Sequence, residues 1–138
     1  MADDLNLEII SPDSQVFNDQ VESVTIPGTA GSFQVLKNHA PLISTFEIGI
    51  IKVKKSGIDT SHYTTSGGTV EVNNNKVLVL SDSIEKVDKI DIDRAEDAKK
   101  RAEERLAKKN TETVDVIRAE SALNRAVNRI KAYGKYNQ

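Results

Sequence analysis

The sequence predicts an α-plus-β protein in two parts: an antiparallel sandwich or barrel of about eight to ten short strands, then an antiparallel two-helix hairpin. Three observations carry this. Short β-branched and leucine runs are punctuated by turn residues through the first 88 positions, the apolar period changes to three and four after Asp88, and the charge changes sign there too. Residues 1–88 hold 6 Lys against 12 Asp and Glu, a charge of −6, whereas residues 89–138 hold 13 Lys and Arg against 9 acids, a charge of +4. The expected domains are therefore 1–88 and 89–138.

In chain order, "LNLEII" places Leu5, Leu7 and Ile9 on one face, and "VESVTI", "GIIKVKK" and "NKVLVL" supply further strand-like runs. Ser11-Pro12-Asp13, Pro27-Gly28, Lys55-Ser56-Gly57, Gly67-Gly68 and Asn73-Asn74-Asn75 are turn or bulge chemistry. No helical segment is available to cross between parallel strands, so every pairing is expected to be antiparallel. Beyond Asp88, Ala95, Ala98, Ala102 and Leu106 recur at three and four, and Val116, Ala119, Leu123, Ala126, Ile130 and Tyr133 follow after the break "KKNTET". Asp91 is the expected N-cap of the first helix and Asn110 or Thr111 of the second, and Gly134 is expected to stop it. Each helix of about 20 residues would be roughly 30 Å long. The seam between them is mostly alanine and buries little apolar area, which predicts a pair of helices held weakly enough to separate.

Composition removes several functions. There is no cysteine, hence no disulfide, thiol nucleophile or thiolate metal site, and His39 and His62 are the only imidazoles. No run approaches ~18 apolar residues, and "MADDLNLEII" is acidic where a secretory signal would be basic, so neither a membrane span nor export is expected. "PGTAGSF" lacks the Gly-Lys-Ser/Thr ending of a phosphate loop and reads as a turn. His39 in "NHAPL" has no nucleophile in a motif context, His62 reads as an exposed strand residue, and the paired acids Asp91/Asp93 and Glu103/Glu104 read as caps and solvated faces. No catalytic site emerges.

The six arginines are the exception. All lie after position 93, as Arg94, Arg101 and Arg105 and again as Arg118, Arg125 and Arg129, with spacings of seven and four in each trio. On a helix a step of seven turns back about 20° and a step of four advances about 40°, so each trio forms one narrow stripe. Lysine solvates a helix equally well, while guanidinium offers a planar fork of donors for phosphate or carboxylate. A polyanion cradle is one reading; a surface laced with pairs such as Asp97 to Arg101, each worth ~0.2–0.5 kcal/mol, is the other. Nucleic acid is disfavoured by the negative overall charge and by Tyr133 and Tyr136 being the tail's only aromatics. From Ser121 onward there is no acid, only Arg125, Arg129, Lys131 and Lys135 among charged residues, which suits an acidic partner or the dipole of a solvated helix end.

"LEIISPD", "VESVTIPGTAGSFQVLKNHAPLIS", "GGTVEV", "VLVLSD" and "IDIDRAEDAKKRAEERL" together resemble the epsilon-subunit family of the F-type ATP synthases, bacterial type, over nearly the whole chain. The resemblance implies a flattened ten-stranded sandwich with a helical hairpin, and a rotor subunit of a proton-translocating synthase without catalytic residues or a required cofactor. The implied partners are the gamma subunit, the polar loops of the c-ring, and the beta and alpha subunits of the catalytic head, with no direct membrane insertion. The implied location is peripheral, on the cytoplasmic face of the bacterial inner or plasma membrane. Gly31, Ser32 and His39 match the part turned toward the ring or stalk, although many relatives carry an acid in place of Ser32 and a proline-glycine pair in place of Lys37-Asn38. The tail is implied to inhibit ATP hydrolysis when extended, through a basic face of Arg118, Arg125, Arg129 and Lys131. A regulatory ATP site in the folded tail is implied by Ile90, Asp91, Arg94 and Ala95, with Glu85, Arg101, Arg125 and Arg129 at matching positions. A free-standing ATP-sensing module and a polyanion-binding adaptor are the rival readings.

Overall fold

A computed structural model describes residues 5–57, 60–109 and 115–136. The chain divides into two compact units, residues 1–86 and residues 87–138.

The first unit is built from β1 (Leu5–Ser11), β2 (Ser14–Val21), β3 (Ser23–Ile26), β4 (Phe33–Leu36), β5 (Leu42–Phe46), β6 (Gly49–Lys54), β7 (Ser61–Thr65), β8 (Gly68–Asn73), β9 (Lys76–Ser81) and β10 (Ile84–Lys86). They form two five-stranded sheets, ordered β2-β1-β9-β8-β5 and β10-β7-β6-β3-β4. The alternation that predicted strands also fills the space between the sheets. Leu5, Leu7, Ile9, Val70, Val72, Val77 and Val79 from one sheet meet Val24, Ile26, Val35, Ile51, Val53 and Tyr63 from the other in one buried cluster. Phe17 packs edge-on against Tyr63, with ring centroids 6.4 Å apart and planes at 76°, an edge-to-face geometry that aromatic quadrupoles favour.

The all-antiparallel expectation is corrected by one pair. β1 runs parallel to β9, with Leu7 beside Val77 and Ile9 beside Val79, while its other edge pairs antiparallel with β2 across a bulge at Ile9/Ile10. A parallel pair needs a long crossover, and here the intervening strands of both sheets supply it instead of a helix. The chain crosses between the two sheets five times, and a knot of hydroxyls ties two of those crossings, β7 to β8 and β9 to β10. Thr65 and Ser81, 3% and 4% exposed, lie 2.8 Å apart at their oxygens. The Gly67 N–H donates to Thr65 Oγ1 at 3.1 Å, and Ser81 Oγ reaches the carbonyls of Gly67 at 2.9 Å and Ser83 at 3.0 Å. Gly68 is required beside this knot, since a Cβ there would stand 1.9 Å from the Leu80 carbonyl oxygen.

In the second unit a 3-10 turn at Val87–Lys89 leads to α1 (Ile92–Ala107) and α2 (Val116–Tyr136), which pack on one another. Asp91 caps α1 as expected, its Oδ1 accepting from the Arg94 N–H at 3.1 Å. Ile90 and Ala95 occupy the two positions of a hydrophobic staple around that cap, and both are buried. The α2 caps expected at Asn110 or Thr111 lie outside the described residues. The described cap is Asp115, whose Oδ1 accepts from the Arg118 N–H at 3.0 Å. Gly134 does not stop α2, which continues to Tyr136; its φ is not positive, so the left-handed turn that makes a glycine terminate a helix is absent there. The helices have 16 and 21 residues, about 24 and 32 Å at 1.5 Å per residue, so α1 is shorter than expected. Their buried residues are all alanines: Ala95 and Ala102 on α1, Ala119, Ala126 and Ala132 on α2. No helix among the described residues is long and apolar enough to cross a membrane.

Candidate functional site

Two regions carry most of the sequence-predicted site residues, one in each unit. On α1, the motif Ile90, Asp91, Arg94, Ala95 resolves into a helix start. Ile90 and Ala95 are buried, Asp91 is spent on the cap, and Arg94 presents its guanidinium to solvent. Arg101 and Arg105 continue the exposed stripe. With Ala95 and Ala102 marking the buried line, the three arginines stand about 100° round the helix from it. α2 repeats the pattern. Arg118, Arg125 and Arg129 stand about 100° from the line of Ala119 and Ala126, in the same rotational sense. Arg118 and Arg125 are exposed and Arg129 half-buried, and Arg125 Nη1 donates to Ser121 Oγ at 2.9 Å. Among the described residues no ion pair joins Asp97 to Arg101, whereas Lys55 pairs with Asp19 at 2.6 Å and Lys54 with Glu22 at 3.9 Å in the first unit. Lys131 is exposed but lies about 200° round from Arg129, on the far side of α2 from the arginine stripe. Glu85 sits half-buried on β10, opposite Thr64 of β7, and so belongs to the first unit.

The second region is the pair of loops flanking β4. Gly31, at φ 132°, donates its N–H to the Gly28 carbonyl at 3.0 Å, and Ser32 Oγ donates to the Ile26 carbonyl at 3.3 Å. Thr29 fastens this loop to β5, through its N–H to the Thr45 carbonyl at 3.2 Å and hydroxyl to hydroxyl at 2.9 Å. Only glycine fits at position 28, where a Cβ would come within 2.6 Å of the Gly31 oxygen. His39 lies past the other end of the strand. Its N–H donates to the Leu36 carbonyl at 3.2 Å, and its Nδ1 is 2.7 Å from the Ala40 carbonyl; a carbonyl only accepts, so Nδ1 carries the proton. The structure thus does not bring Gly31 and Ser32 together with His39. They flank a four-residue strand, about 13 Å long at 3.3 Å per residue. His62, read as an exposed strand residue, is half-buried on β7.

Sequence reasoning missed two residues here. Asp115 had a signal, an acid three before the Arg118 it caps, just ahead of an apolar run. Asn75 had none: it was read as a turn residue, and nothing local links it to Asn38, with which it exchanges hydrogen bonds. Two cavities of about 420 and 360 Å³ lie on the outer side of β1, β8 and β9, and neither is lined by a sequence-predicted site residue. Among the described residues no cluster of His, Asp and Glu could hold a metal ion.

The family model for the β-sandwich domain of the ATP synthase delta/epsilon chain matches residues 4–87. The model for its long α-helix domain matches residues 88–134. The chain belongs to the ATP synthase delta/epsilon chain family. The ATP synthase epsilon chain of Desulfitobacterium hafniense strain Y51 is 48% identical over 132 residues, covering 96% of this chain and 98% of that one. The epsilon chain of Nitratidesulfovibrio vulgaris strain DP4 is 47% identical over 134 residues, with 97% and 98% covered. A chain in the cryo-EM structure of the Euglena gracilis mitochondrial ATP synthase (OSCP/F1/c-ring, rotational state 1) superposes with a TM-score of 0.81 at 22% identity, covering 96% of this chain and 82% of that chain. One in the Tetrahymena thermophila central stalk and c-ring gives 0.62 at 12%, with 98% and 97% covered. At such identities these two likenesses concern the fold. Membership of the delta/epsilon family makes the chain a non-catalytic accessory subunit of the synthase, a membrane-associated complex.

Proposed function

We propose that this chain is a central-stalk rotor subunit whose sandwich, residues 1–88, binds the gamma subunit and the polar loops of the c-ring, and whose tail, residues 89–138, regulates ATP hydrolysis. The observation that supports it is the match of both family domains over nearly the full chain. Because Gly31 and Ser32 flank β4 on the opposite end from His39, the two loops serve two surfaces: the Gly31–Ser32 loop the ring, the His39 loop gamma. The subunit is placed on the cytoplasmic face of the bacterial membrane.

The tail is read as an antiparallel hairpin. Helices in contact and joined by a short connection, residues 108–115, are antiparallel neighbours. In that orientation, two stripes offset in the same rotational sense from facing alanine lines fall on the same side of the pair. Arg94, Arg101 and Arg105 then stand beside Arg118, Arg125 and Arg129 as one cradle of guanidinium groups, suited to the phosphates of ATP. Ile90, Asp91 and Ala95 set the helix start from which Arg94 reaches the ligand. A buried methyl contributes only about 0.8 kcal/mol, so the alanine-lined pair opens readily. Opened, α2 offers Arg118, Arg125 and Arg129 to acidic segments of the beta and alpha subunits and slows hydrolysis; Lys131, on the other side of the helix, takes a lesser part. ATP favours the closed state by its difference in affinity between the two.

The test is a complex reconstituted with this chain either whole or lacking residues 89–138. The shortened chain should still co-purify with gamma while ATP hydrolysis by the complex rises. Failure to bind gamma would remove the stalk assignment in favour of a free-standing ATP-sensing module, and unchanged hydrolysis would remove the inhibitory tail.

A further inference from the structure

We propose that Asn75 is a positioning residue for the His39 loop, holding it in the shape its stalk partner binds. The proposal rests on the reading of that loop as a gamma contact. The loop between β4 and β5 begins at Lys37-Asn38, where Asn38 turns left-handed at φ 66°. Asparagine tolerates that conformation, but the loop's one proline, Pro41, lies three residues further on and does not fix the turn at Asn38. In this chain the constraint comes from the side. The Asn38 N–H donates to Asn75 Oδ1 at 2.6 Å, and Asn75 Nδ2 donates back to Asn38 Oδ1 at 3.3 Å.

The other end of this clasp is itself anchored. Asn75 sits at φ 61° in the β8–β9 turn, and its carbonyl accepts from the Asn6 N–H at 2.9 Å, at the start of β1. The clasp therefore joins a loop leaving one sheet to a turn of the other, and ends one residue before His39. The His39 N–H to Leu36 and Nδ1 to Ala40 bonds then fix the ring. Asn38 is exposed and Asn75 half-buried, and neither belongs to the buried core cluster, so the clasp selects among loop conformations without carrying the core.

A binding-competent loop populated only part of the time weakens apparent affinity in proportion to that fraction. The experiment measures binding of the full chain to an alpha-beta-gamma subcomplex by surface plasmon resonance, with amide hydrogen exchange on the free chain. Asn75→Gly keeps the positive φ and removes both side-chain bonds, whereas Asn75→Asp keeps an acceptor for the Asn38 N–H. Asn75→Gly is expected to speed exchange at Asn38 about tenfold and weaken binding about fivefold, with the melting temperature held within about 2 °C; Asn75→Asp should stay within about twofold of wild type in both readouts. His39→Ala reports on the underlying reading. If His39→Ala weakens binding while Asn75→Gly does not, the gamma contact stands and the positioning role falls. If both leave affinity unchanged, the contact reading falls and the proposal with it. A loss of binding in Asn75→Gly accompanied by a melting drop of more than about 5 °C would also overturn it, as a general destabilisation.

Discussion

Replacing Thr65 with valine keeps the shape of the side chain and removes one hydroxyl from the knot between the sheets. Ser81 has a single hydrogen, drawn to the Gly67 and Ser83 carbonyls at 2.9 and 3.0 Å, which only accept. Thr65 is therefore the donor in the 2.8 Å contact with Ser81, and its oxygen also accepts the Gly67 N–H at 3.1 Å. Valine deletes the first bond, about 1 kcal/mol net, and leaves the Gly67 N–H without its acceptor, about 1–3 kcal/mol when desolvated. Gly67 is half-buried, so water recovers part of this, and the expected loss is about 2–3 kcal/mol. Amide exchange at Val70 and Val79, in the buried core of the sheet that Ser81 ends, should report it as global opening. Ser81→Ala removes the same Thr65 contact, so the double variant should lose about 1 kcal/mol less than the sum of the singles. Thr65→Val within about 0.5 kcal/mol of wild type, or strict additivity of the pair, would refute this account of how the crossings are held.

Three further outcomes follow from other parts of the molecule. Asp91→Ala should lower the stability of the helical unit by about 1 kcal/mol, while Asp91→Asn keeps the cap and most of the helicity; far-ultraviolet circular dichroism during urea unfolding separates them. In a titration with labelled ATP, saturable binding should be lost in Arg94→Ala, and no binding to the wild type at millimolar ATP would reject the cradle. The Asp19 carboxyl is held below its ordinary pKa by the hydrogen bond from Lys55, then by the Gln20 N–H and the Lys55 charge. A carboxyl depressed in the folded state adds stability above its unfolded pKa, and that stability is lost as pH falls through the folded value. Lys55→Ala should move the Asp19 transition upward in a carboxyl carbon-13 NMR titration, and an unmoved transition would show that the ion pair does not set it.

What could be read from the sequence was whatever a local period encodes. Leu5, Leu7 and Ile9 alternate because one face of β1 is buried, and all three are in the core. Asp91 announces a helix because its oxygen sits three residues ahead of a free N–H. Pairing partners leave no such trace: β1 looks the same whether β9 lies beside it parallel or antiparallel, because burial on one face dictates the alternation and not the neighbour. The separation of Gly31 and Ser32 from His39 was hidden for a related reason. It depends on Phe33–Leu36 being extended, a strand too short for its alternation to stand out. Ala132 lies about 120° round α2 from the Ala119–Ala126 line and is buried nonetheless, so the seam expected from spacing alone did not include it.

The position of β1 also bears on how the subunit is made. It is translated ahead of the other nine strands of the two sheets, yet one of its two flanks is covered only by β9, whose residues follow some seventy positions later. Until then a nascent chain carries Leu5, Leu7 and Ile9 on a strand with an unsatisfied edge, and closure demands a contact of high sequence separation, which slows folding. The sandwich can therefore close only once β9 has been made, and until about three fifths of the 138 residues have been translated that strand stays open along one edge.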